Sequence, residues 1–243
     1  MMGGIRALRY SLDRMGSLGI QRAGCALLLA LAAGLAAVAG EPADLPLLLA
    51  EDFESDADRW EPTDPAAWRR VAGRGGNVLA QVAASKYNPP HRSPFNFTLL
   101  KDMDVGDFVL DVKVRSTIKD YDHRDVCLIF GHQDPAHFYY VHLGKKADDH
   151  ANQIFIVDDA PRIKISQTTT DGTPWDDEWH HVRVIRNVED GKIEIYFDDL
   201  EKPAMTATDK AFTHGRIGLG TFDDTAEFDD LELRGTTTAQ RPE

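Results

Sequence analysis

The sequence is poor in cysteine: Cys25 and Cys127 are the only two in 243 residues. Cys25 lies in an N-terminal segment that we expect to be removed, so the remaining chain has one thiol and cannot form an intrachain disulfide. Cys127 lies within an apolar run, which indicates a buried and unreactive thiol. The stability of the fold must therefore come from packing or from a bound metal.

The sequence also lacks an apolar run long enough to span a bilayer. Residues 25–40 (CALLLALAAGLAAVAG) contain about 14 consecutive apolar positions, whereas a membrane helix needs roughly 20. Four arginines precede this run and small residues end it, which is the pattern of a signal peptide. We therefore expect residues 1–40 to be a signal peptide, with an uncleaved anchor as the alternative. The protein would then be secreted or periplasmic, and free of the membrane after cleavage.

Basic charge is scarce as well. The chain has 27 basic and 40 acidic residues, and removing residues 1–40, which carry four arginines and one aspartate, leaves a formal charge of −16. Such a surface repels nucleic acid and anionic membranes, and it disfavours polyanionic glycans. Neutral sugars or cations are more suitable ligands, and we expect no nucleic-acid partner.

No part of the chain shows a sustained helical period or an internal repeat. Instead, short segments alternate between apolar and polar residues and are separated by turn pairs such as Asp171-Gly172 and Asp190-Gly191. The alternating segments are 107–115, 161–166, 180–186, 192–197, 216–222 and 226–234. This spacing predicts an all-β fold, a two-sheet antiparallel jelly-roll β-sandwich. We place the sandwich at residues 51–235, between a linker at 41–50 and a disordered tail at 236–243.

Residues 125–144 (DVCLIFGHQDPAHFYYVHLG) predict a β-hairpin that turns at residues 133–136. A register with His132 opposite His137 produces one apolar face. That face consists of Val126, Leu128, Phe130, Tyr139, Val141 and Leu143. The second face is half aromatic and half polar: Cys127, Ile129, Phe138, Tyr140 and His142, with Asp125 at its edge. A concave surface of this composition suits pyranose rings, which offer apolar CH faces and hydroxyl rims.

We therefore expect a carbohydrate-binding surface on this second face and on the loop that follows the hairpin. The predicted substrate-binding residues are Arg124, Phe138, Lys145, His150, Asn152 and Gln153. In a catalytic version, His142 or Tyr140 would act as general acid or base, while Arg124 or Lys145 would stabilise negative charge. The alternative is an exposed polar sheet face with a solvated loop. Among the four tryptophans, Trp175 is the best candidate for a sugar-stacking platform, whereas Trp179 fits the core.

Two blocks of sequence carry a family resemblance. They are WHHVRVIR (179–186) with GKIEIYFDD (191–199), and GRIGLGTFDDTAEFDDLEL (215–233). With the hairpin, they resemble the concanavalin A-like lectin/glucanase (laminin-G-like) jelly rolls, and most closely the 3-keto-disaccharide hydrolases. The resemblance implies a glycoside hydrolase acting on a disaccharide or oligosaccharide, or a non-catalytic glycan-binding or adhesion module. A polysaccharide lyase is a further alternative that the acidic charge disfavours. The resemblance implies no organic cofactor, and fold alone does not decide function.

The resemblance also implies a structural calcium ion where the first and last strands pair. Its ligands would be Glu51 and Asp52 on the first strand and Asp229 and Asp230 on the last. Calcium requires several hard oxygen ligands, and clustered carboxylates repel one another unless a cation joins them. The adjacent pair at 223–224 offers alternative ligands, and alternating acidic surface positions would explain the same residues without a metal.

Two further motifs are weaker candidates. The segment EFDDLE (227–232) resembles the catalytic motif of laminarinase-type glucanases, with Glu227 and Glu232 as nucleophile and acid. Asp230 occupies a place that is normally apolar in that motif, and a closing strand explains the same letters. A metal site at His132 and His137 would have two ligands, too few for a catalytic zinc.

Overall fold

The computed structural model describes residues 45–73 and 75–238, which form two antiparallel sheets. This confirms the predicted all-β sandwich. The predicted signal peptide at 1–40 lies outside the described residues, as does the end of the predicted tail, 239–243. Within the part of the chain that is described, no helix has the length and apolar character needed to cross a membrane.

The described residues form sixteen strands and a single turn of 3-10 helix at Pro65–Ala67. The strands are β1 (Leu47–Glu51), β2 (Trp60–Pro62), β3 (Trp68–Ala72), β4 (Asn77–Gln81), β5 (Asn96–Leu100), β6 (Val105–Ser116), β7 (Asp125–Asp134), β8 (His137–Gly144), β9 (Gln153–Asp158), β10 (Ile163–Lys164), β11 (Ser166–Thr169), β12 (His180–Arg186), β13 (Lys192–Phe197), β14 (Met205–Thr208), β15 (Arg216–Thr221) and β16 (Ala226–Thr237).

Nine of these described strands form one sheet and seven form the other. The nine-stranded sheet has the order β11-β14-β13-β12-β6-β16-β4-β3, and β1 pairs separately with β16. The seven-stranded sheet has the order β10-β9-β8-β7-β15-β5-β2. The predicted hairpin is β7–β8, and it lies near the centre of the seven-stranded sheet. Its side chains are therefore surrounded by neighbouring strands on both sides.

The sequence alternation matches burial on the nine-stranded sheet. In β12, every second residue is buried, so Val182 and Val184 pack into the core between the sheets. Because the opposite face of this strand carries charged side chains, one face stays solvated, as antiparallel sheets commonly show. The core is built from alternating residues of both sheets, including Leu110 and Phe228 from one sheet and Leu128 from the other.

The seven-stranded sheet is buried on both faces at its centre. β8 and β9 show almost no alternation of burial, and a second apolar cluster covers the outer face. Its members are Phe97, Leu99, Cys127, Ile129, Phe138, Tyr140, Phe155, Val157 and Phe222. The partly buried rings of Tyr87 and Phe95 pack against this cluster from a connecting segment. The expectation that this face is open to solvent is therefore wrong for most of its area.

The strand boundaries differ from the prediction at both ends of the domain. β1 begins at Leu47, so part of the predicted linker at 41–50 belongs to the sandwich. β16 continues to Thr237, so the start of the predicted tail is paired. β1 is paired with residues 231–234 of β16, and the end of β16 is paired with β6, where Thr237 lies opposite Val105. Terminal sequence composition does not reveal these long-range contacts.

Candidate functional site

The hairpin has the predicted register over most of its length. Leu128 lies opposite Val141, and the pairs on either side follow the same register. The predicted pairing of His132 with His137 is wrong, because an irregularity at Gly131, which has a φ of 58°, shifts the last pair. Glycine adopts this left-handed conformation at little cost, and a bulge of this kind reverses the face of the next side chain. His132 therefore lies on the second face, with its ring centre 5.4 Å from that of Phe138.

The Tyr140 side chain is fully buried instead of facing a ligand. Its ring stacks on Phe155 with 5.1 Å between ring centres. Arg162, from the segment after β9, donates from Nη1 to the Tyr140 hydroxyl over 2.9 Å. The Arg162 guanidinium also lies over the rings of Phe155 and Phe222, at 4.7 and 4.2 Å from their centres. Burial raises the pKa of Tyr140 well above its usual range, so the phenol stays protonated.

Arg124 and Gln153, predicted to bind substrate, are also buried in the fold. Arg124 donates from Nη2 to the Ser116 carbonyl over 2.8 Å and pairs with Asp177 at 2.9 Å. Gln153 donates its amide to the carbonyl of Asp148 over 2.9 Å. These contacts hold connecting segments against the sheet, so the expectation that both side chains face a ligand is not met.

Asn152 and Trp175 have structural contacts of the same kind. Trp175 is 4% exposed, and its Nε1 donates to the Leu143 carbonyl over 2.7 Å. Asn152 is fully buried with a φ of 54°, and it accepts a hydrogen bond from Thr173 over 2.8 Å. The predicted sugar platform at Trp175 is therefore wrong, because the loop that carries this ring folds inward. Phe138 is likewise buried in the second cluster.

Lys145 and His150 remain accessible in the loop after β8. Lys145 forms an ion pair with Asp120, and the backbone carbonyl of His150 accepts a hydrogen bond from His142 Nδ1 over 2.9 Å. His142 itself is 6% exposed. The candidate catalytic pair of His142 and Tyr140 therefore shares one face, as predicted, but both side chains lie beneath the surface.

An acidic cluster lies beside His142. Asp125 begins β7, and Asp223 and Asp224 form the turn after β15; these three residues offer ligand atoms within 4.8 Å of one another. Asp224 Oδ2 accepts from the Asp125 backbone NH over 2.8 Å, and its Oδ1 accepts from the Tyr121 hydroxyl over 2.7 Å. Burial raises the pKa of Asp224 to about 7, and the Asp125 carboxylate contributes in the same direction.

The predicted calcium ligands are not gathered in this way. β1 and β16 pair as expected, with Glu51 opposite Leu231. Among residues 45–73 and 75–238, groups of three or more ligand side chains occur at Asp125 with residues 223–224 and at Asp125 with Cys127 and His142. No three of Glu51, Asp52, Asp229 and Asp230 form such a group among these residues. The alternative pair at 223–224 is the one that lies in a cluster.

The glucanase-like motif has ion-paired carboxylates. Glu227 accepts from Arg115 Nη2 over 2.6 Å, and Glu232 accepts from Arg234 Nε over 2.6 Å. Both acids lie on β16 in the nine-stranded sheet, with an irregularity of register between Asp229 and Glu232. These contacts agree with the interpretation of this segment as a closing strand.

An open groove lies at one end of the seven-stranded sheet, and the sequence analysis missed it. Its volume is about 390 Å³. It is lined by Glu61, Pro62, Thr63, Tyr87, Phe97, Leu99, His132, Gln133, Asp134, Pro135 and Arg216. The floor is apolar, because Phe97 and Leu99 of β5 lie beneath it. Tyr87 is partly exposed and contacts Phe97 edge-on, with 5.7 Å between ring centres. The polar residues form the rim.

The rim of this groove carries paired charge and one neutral imidazole. Arg216 Nη1 lies 2.7 Å from Glu61 Oε2, and this hydrogen bond keeps the pKa of the Glu61 carboxyl below its usual value. Burial, with the charge of Arg216, lowers the pKa of His132 to about 4, so the ring is neutral at pH 7. Its Nδ1 has no hydrogen-bond partner among the described residues. A neighbouring cavity of about 650 Å³ shares His132, Gln133 and Arg216 with the groove.

Comparison with known proteins shows similarity of fold. No family model matches the chain, and no curated protein matches it by sequence. Its structure is similar to the carbohydrate-binding module CBM66 from Bacillus subtilis, with 16% identity, a TM-score of 0.52, and coverage of 73% of this chain and 96% of the module. It is also similar to the cellulose induced protein Cip1, with 14% identity, a TM-score of 0.53, and coverage of 77% and 97%.

A third similar structure was solved with a sugar. Domain 4 of AbnA, a GH43 extracellular arabinanase from Geobacillus stearothermophilus, in complex with arabinotriose, is 12% identical, with a TM-score of 0.50 and coverage of 80% of this chain and 94% of the domain. At these identities the similarity establishes the fold alone. The comparison therefore confirms the predicted two-sheet β-sandwich, and the resemblance to the 3-keto-disaccharide hydrolases stays a prediction.

Proposed function

We propose that residues 45–238 form a carbohydrate-binding module that holds a neutral sugar in the groove beside Tyr87. The observation that carries this proposal is the groove itself, which combines an apolar floor, a partly exposed aromatic ring and a polar rim. Sugar sites have this composition because a pyranose offers an apolar ring face and a rim of hydroxyls. Similar folds in a carbohydrate-binding module and in an arabinanase domain in complex with arabinotriose support it.

In this proposal the ring of Tyr87 stacks on the apolar face of one sugar unit. The exposed Gln133 amide binds hydroxyls from one side, and the ion pair of Arg216 and Glu61 binds them from the other. Because Glu61 neutralises Arg216, the groove has no unpaired positive charge with which to attract a polyanion. The acidic chain favours the same class of ligand and disfavours nucleic acid.

Hydrolysis of a neutral glycoside or 3-keto-disaccharide is the alternative that the family resemblance implies. It would use His142 and Tyr140 as acid and base. The burial of both side chains, and the Arg162 contact to the Tyr140 hydroxyl, support binding over catalysis at that face. A non-catalytic module that acts outside the cell also agrees with the predicted signal peptide.

The substitution Tyr87→Ala tests the proposal. The matched control is Trp179→Ala, which removes a partly exposed ring from the region of the nine-stranded sheet, where it lies beneath Arg115. A screen of neutral oligosaccharides identifies the ligand, and calorimetry measures its affinity for each variant. We expect Tyr87→Ala to weaken binding by about tenfold or more, since aromatic contacts contribute about 1 kcal/mol beyond buried area.

Trp179→Ala should leave the affinity unchanged. Equal affinity in both variants would contradict the proposal, as would binding that depends on His142 but not on Tyr87. Release of reducing sugar from any bound oligosaccharide would show that the protein is a hydrolase and would overturn the proposal of a binding module.

A further inference from the structure

We propose that Asp125, Asp223 and Asp224, together with His142, form a binding site for a divalent cation at one end of the central strands of the seven-stranded sheet. The cation class that fits this ligand set is Mn²⁺ or Zn²⁺. Three separate segments supply the ligands: the start of β7, the turn after β15 and the middle of β8. The ligands differ from the residues that are proposed to bind sugar and from the carboxylates on β1 and β16.

The first supporting observation is an unpartnered carboxylate oxygen. Asp125 is fully buried, and its Oδ2 accepts a hydrogen bond from the backbone NH of Phe222 over 2.8 Å. Its Oδ1 is buried and has no hydrogen-bond partner in the described part of the chain. A buried carboxylate oxygen without a donor is costly in a folded protein. A cation bound at this oxygen would compensate for that cost.

The second observation is the orientation of His142. Its Nδ1 donates to the His150 carbonyl over 2.9 Å, and a carbonyl can only accept. In the neutral ring the lone pair therefore lies on Nε2. This nitrogen is 3.0 Å from Asp125 Oδ2, yet it makes no hydrogen bond within residues 45–73 and 75–238. A histidine that binds a metal commonly donates its other ring NH to a backbone carbonyl in this way.

The spacing of these atoms also fits a single ion. With ligand bonds of about 2.1 Å, two neighbouring ligand atoms lie about 3.4 Å apart on a tetrahedral ion and about 3 Å apart on an octahedral one. His142 Nε2 lies 3.0 Å from Asp125 Oδ2, close to the octahedral value. Asp125 belongs to two groups whose ligand atoms lie within 4.8 Å of one another, one with Asp223 and Asp224 and one with Cys127 and His142, so its carboxylate is the ligand that joins them. The Asp125 backbone NH donates to Asp224 Oδ2 over 2.8 Å, so these two ligand residues are already held next to each other.

An ion can reach the site from solvent. Asp223 is exposed and lines a cavity of about 210 Å³, together with Tyr87, Phe95 and other side chains. Cys127 lies nearby, with its Sγ 3.4 Å from Asp125 Oδ2, and it belongs to the same group of ligand atoms as Asp125 and His142. The mixed set of carboxylates and one imidazole suits Mn²⁺ or Zn²⁺ better than Ca²⁺, which prefers oxygen alone.

The test is a calorimetric titration of chelator-treated protein with MnCl₂, ZnCl₂ and CaCl₂, with thermal unfolding measured alongside. We expect one Mn²⁺ or Zn²⁺ per chain and a higher melting temperature with the metal. Asp223→Asn, at the exposed ligand, should weaken binding at least about tenfold while leaving the melting temperature in chelator unchanged. His142→Gln should weaken binding as well, and its amide retains a donor for the His150 carbonyl.

The matched control is Asp52→Asn, another exposed aspartate, which should bind the metal as the unsubstituted protein does. Absence of binding at millimolar metal would overturn the proposal. So would binding that survives both Asp223→Asn and His142→Gln, or binding that only Asp52→Asn abolishes, since the latter would place the ion between β1 and β16. Preference for Ca²⁺ with no effect of His142→Gln would also overturn it.

Discussion

Replacement of Trp175 tests whether this tryptophan stabilises the fold or binds sugar. The ring is 4% exposed and lies edge-on against Phe197 and His180, with ring centres 5.1 and 5.4 Å away. Its Nε1 donates to the Leu143 carbonyl over 2.7 Å. If the role of Trp175 is structural, then its truncation should reduce the stability of the fold and leave the ligand affinity of the folded molecules unchanged.

The expected loss can be worked from these contacts. Truncation of a buried tryptophan to alanine costs about 3–5 kcal/mol, because the lost burial and the cavity add together. Trp175→Phe keeps most of the ring but removes the donor to Leu143, which costs about 1–3 kcal/mol for a buried acceptor left without it. Domains of this size are stable by about 5–15 kcal/mol, so Trp175→Ala should remain folded but with a much lower urea midpoint.

Urea unfolding followed by far-ultraviolet circular dichroism measures the free energy of unfolding without depending on tryptophan fluorescence. Trp179→Ala is the matched control and should change this energy by about 1 kcal/mol or less, the size of one exposed cation–π contact. The structural role would be refuted if Trp175→Ala unfolded at the same urea concentration as the unsubstituted protein and yet lost sugar affinity.

Two further predictions concern groups near the groove and the hairpin loop. The pKa of His132 falls from its usual 6.5 to about 4 on folding, so its contribution to stability is complete above pH 6.5 and is lost as the pH falls towards 4. The melting temperature of His132→Gln should therefore fall less steeply than that of the unsubstituted protein as the pH is lowered over this window. Thermal melts at each pH measure this, and parallel curves of melting temperature against pH would contradict it. Asn152→Ala should lower the free energy of unfolding, measured in urea, by about 2–4 kcal/mol. It removes the hydrogen bond with Thr173, and it strains a backbone with a φ of 54°. A smaller loss in Asn152→Ala than in Asn152→Gly would contradict the contribution of backbone strain.

Sequence alternation was sufficient to predict several of the strands and most of one hairpin. β12 and β13 lie where the alternating residues placed them, at His180–Arg186 and Lys192–Phe197. The hairpin register also follows from its sequence. A shift by one residue would move Leu128 and the other core-facing side chains of the hairpin to the opposite face of the sheet. These are local effects, in which residues two apart share a face of the sheet.

The tertiary structure decided which surface is open. The second hairpin face has the composition of a sugar site, but Arg162 and the segment that carries Tyr87 cover it. No pattern within the hairpin reveals this cover, since it comes from separate parts of the chain. The groove likewise joins Glu61 to Arg216 across 155 positions.

The candidate cation site also depends partly on local sequence and partly on tertiary contacts. The sequence identified residues 223–224 as an alternative pair of ligands and placed Asp125 at the edge of the second face. Only the pairing of β7 with β15 and with β8 brings Asp125 close both to residues 223–224 and to His142. The sequence by itself therefore determined the alternating strands and most of the faces of their side chains, because both depend on near neighbours. Strand order and loop packing, which depend on distant contacts, decided which of those faces meets a ligand.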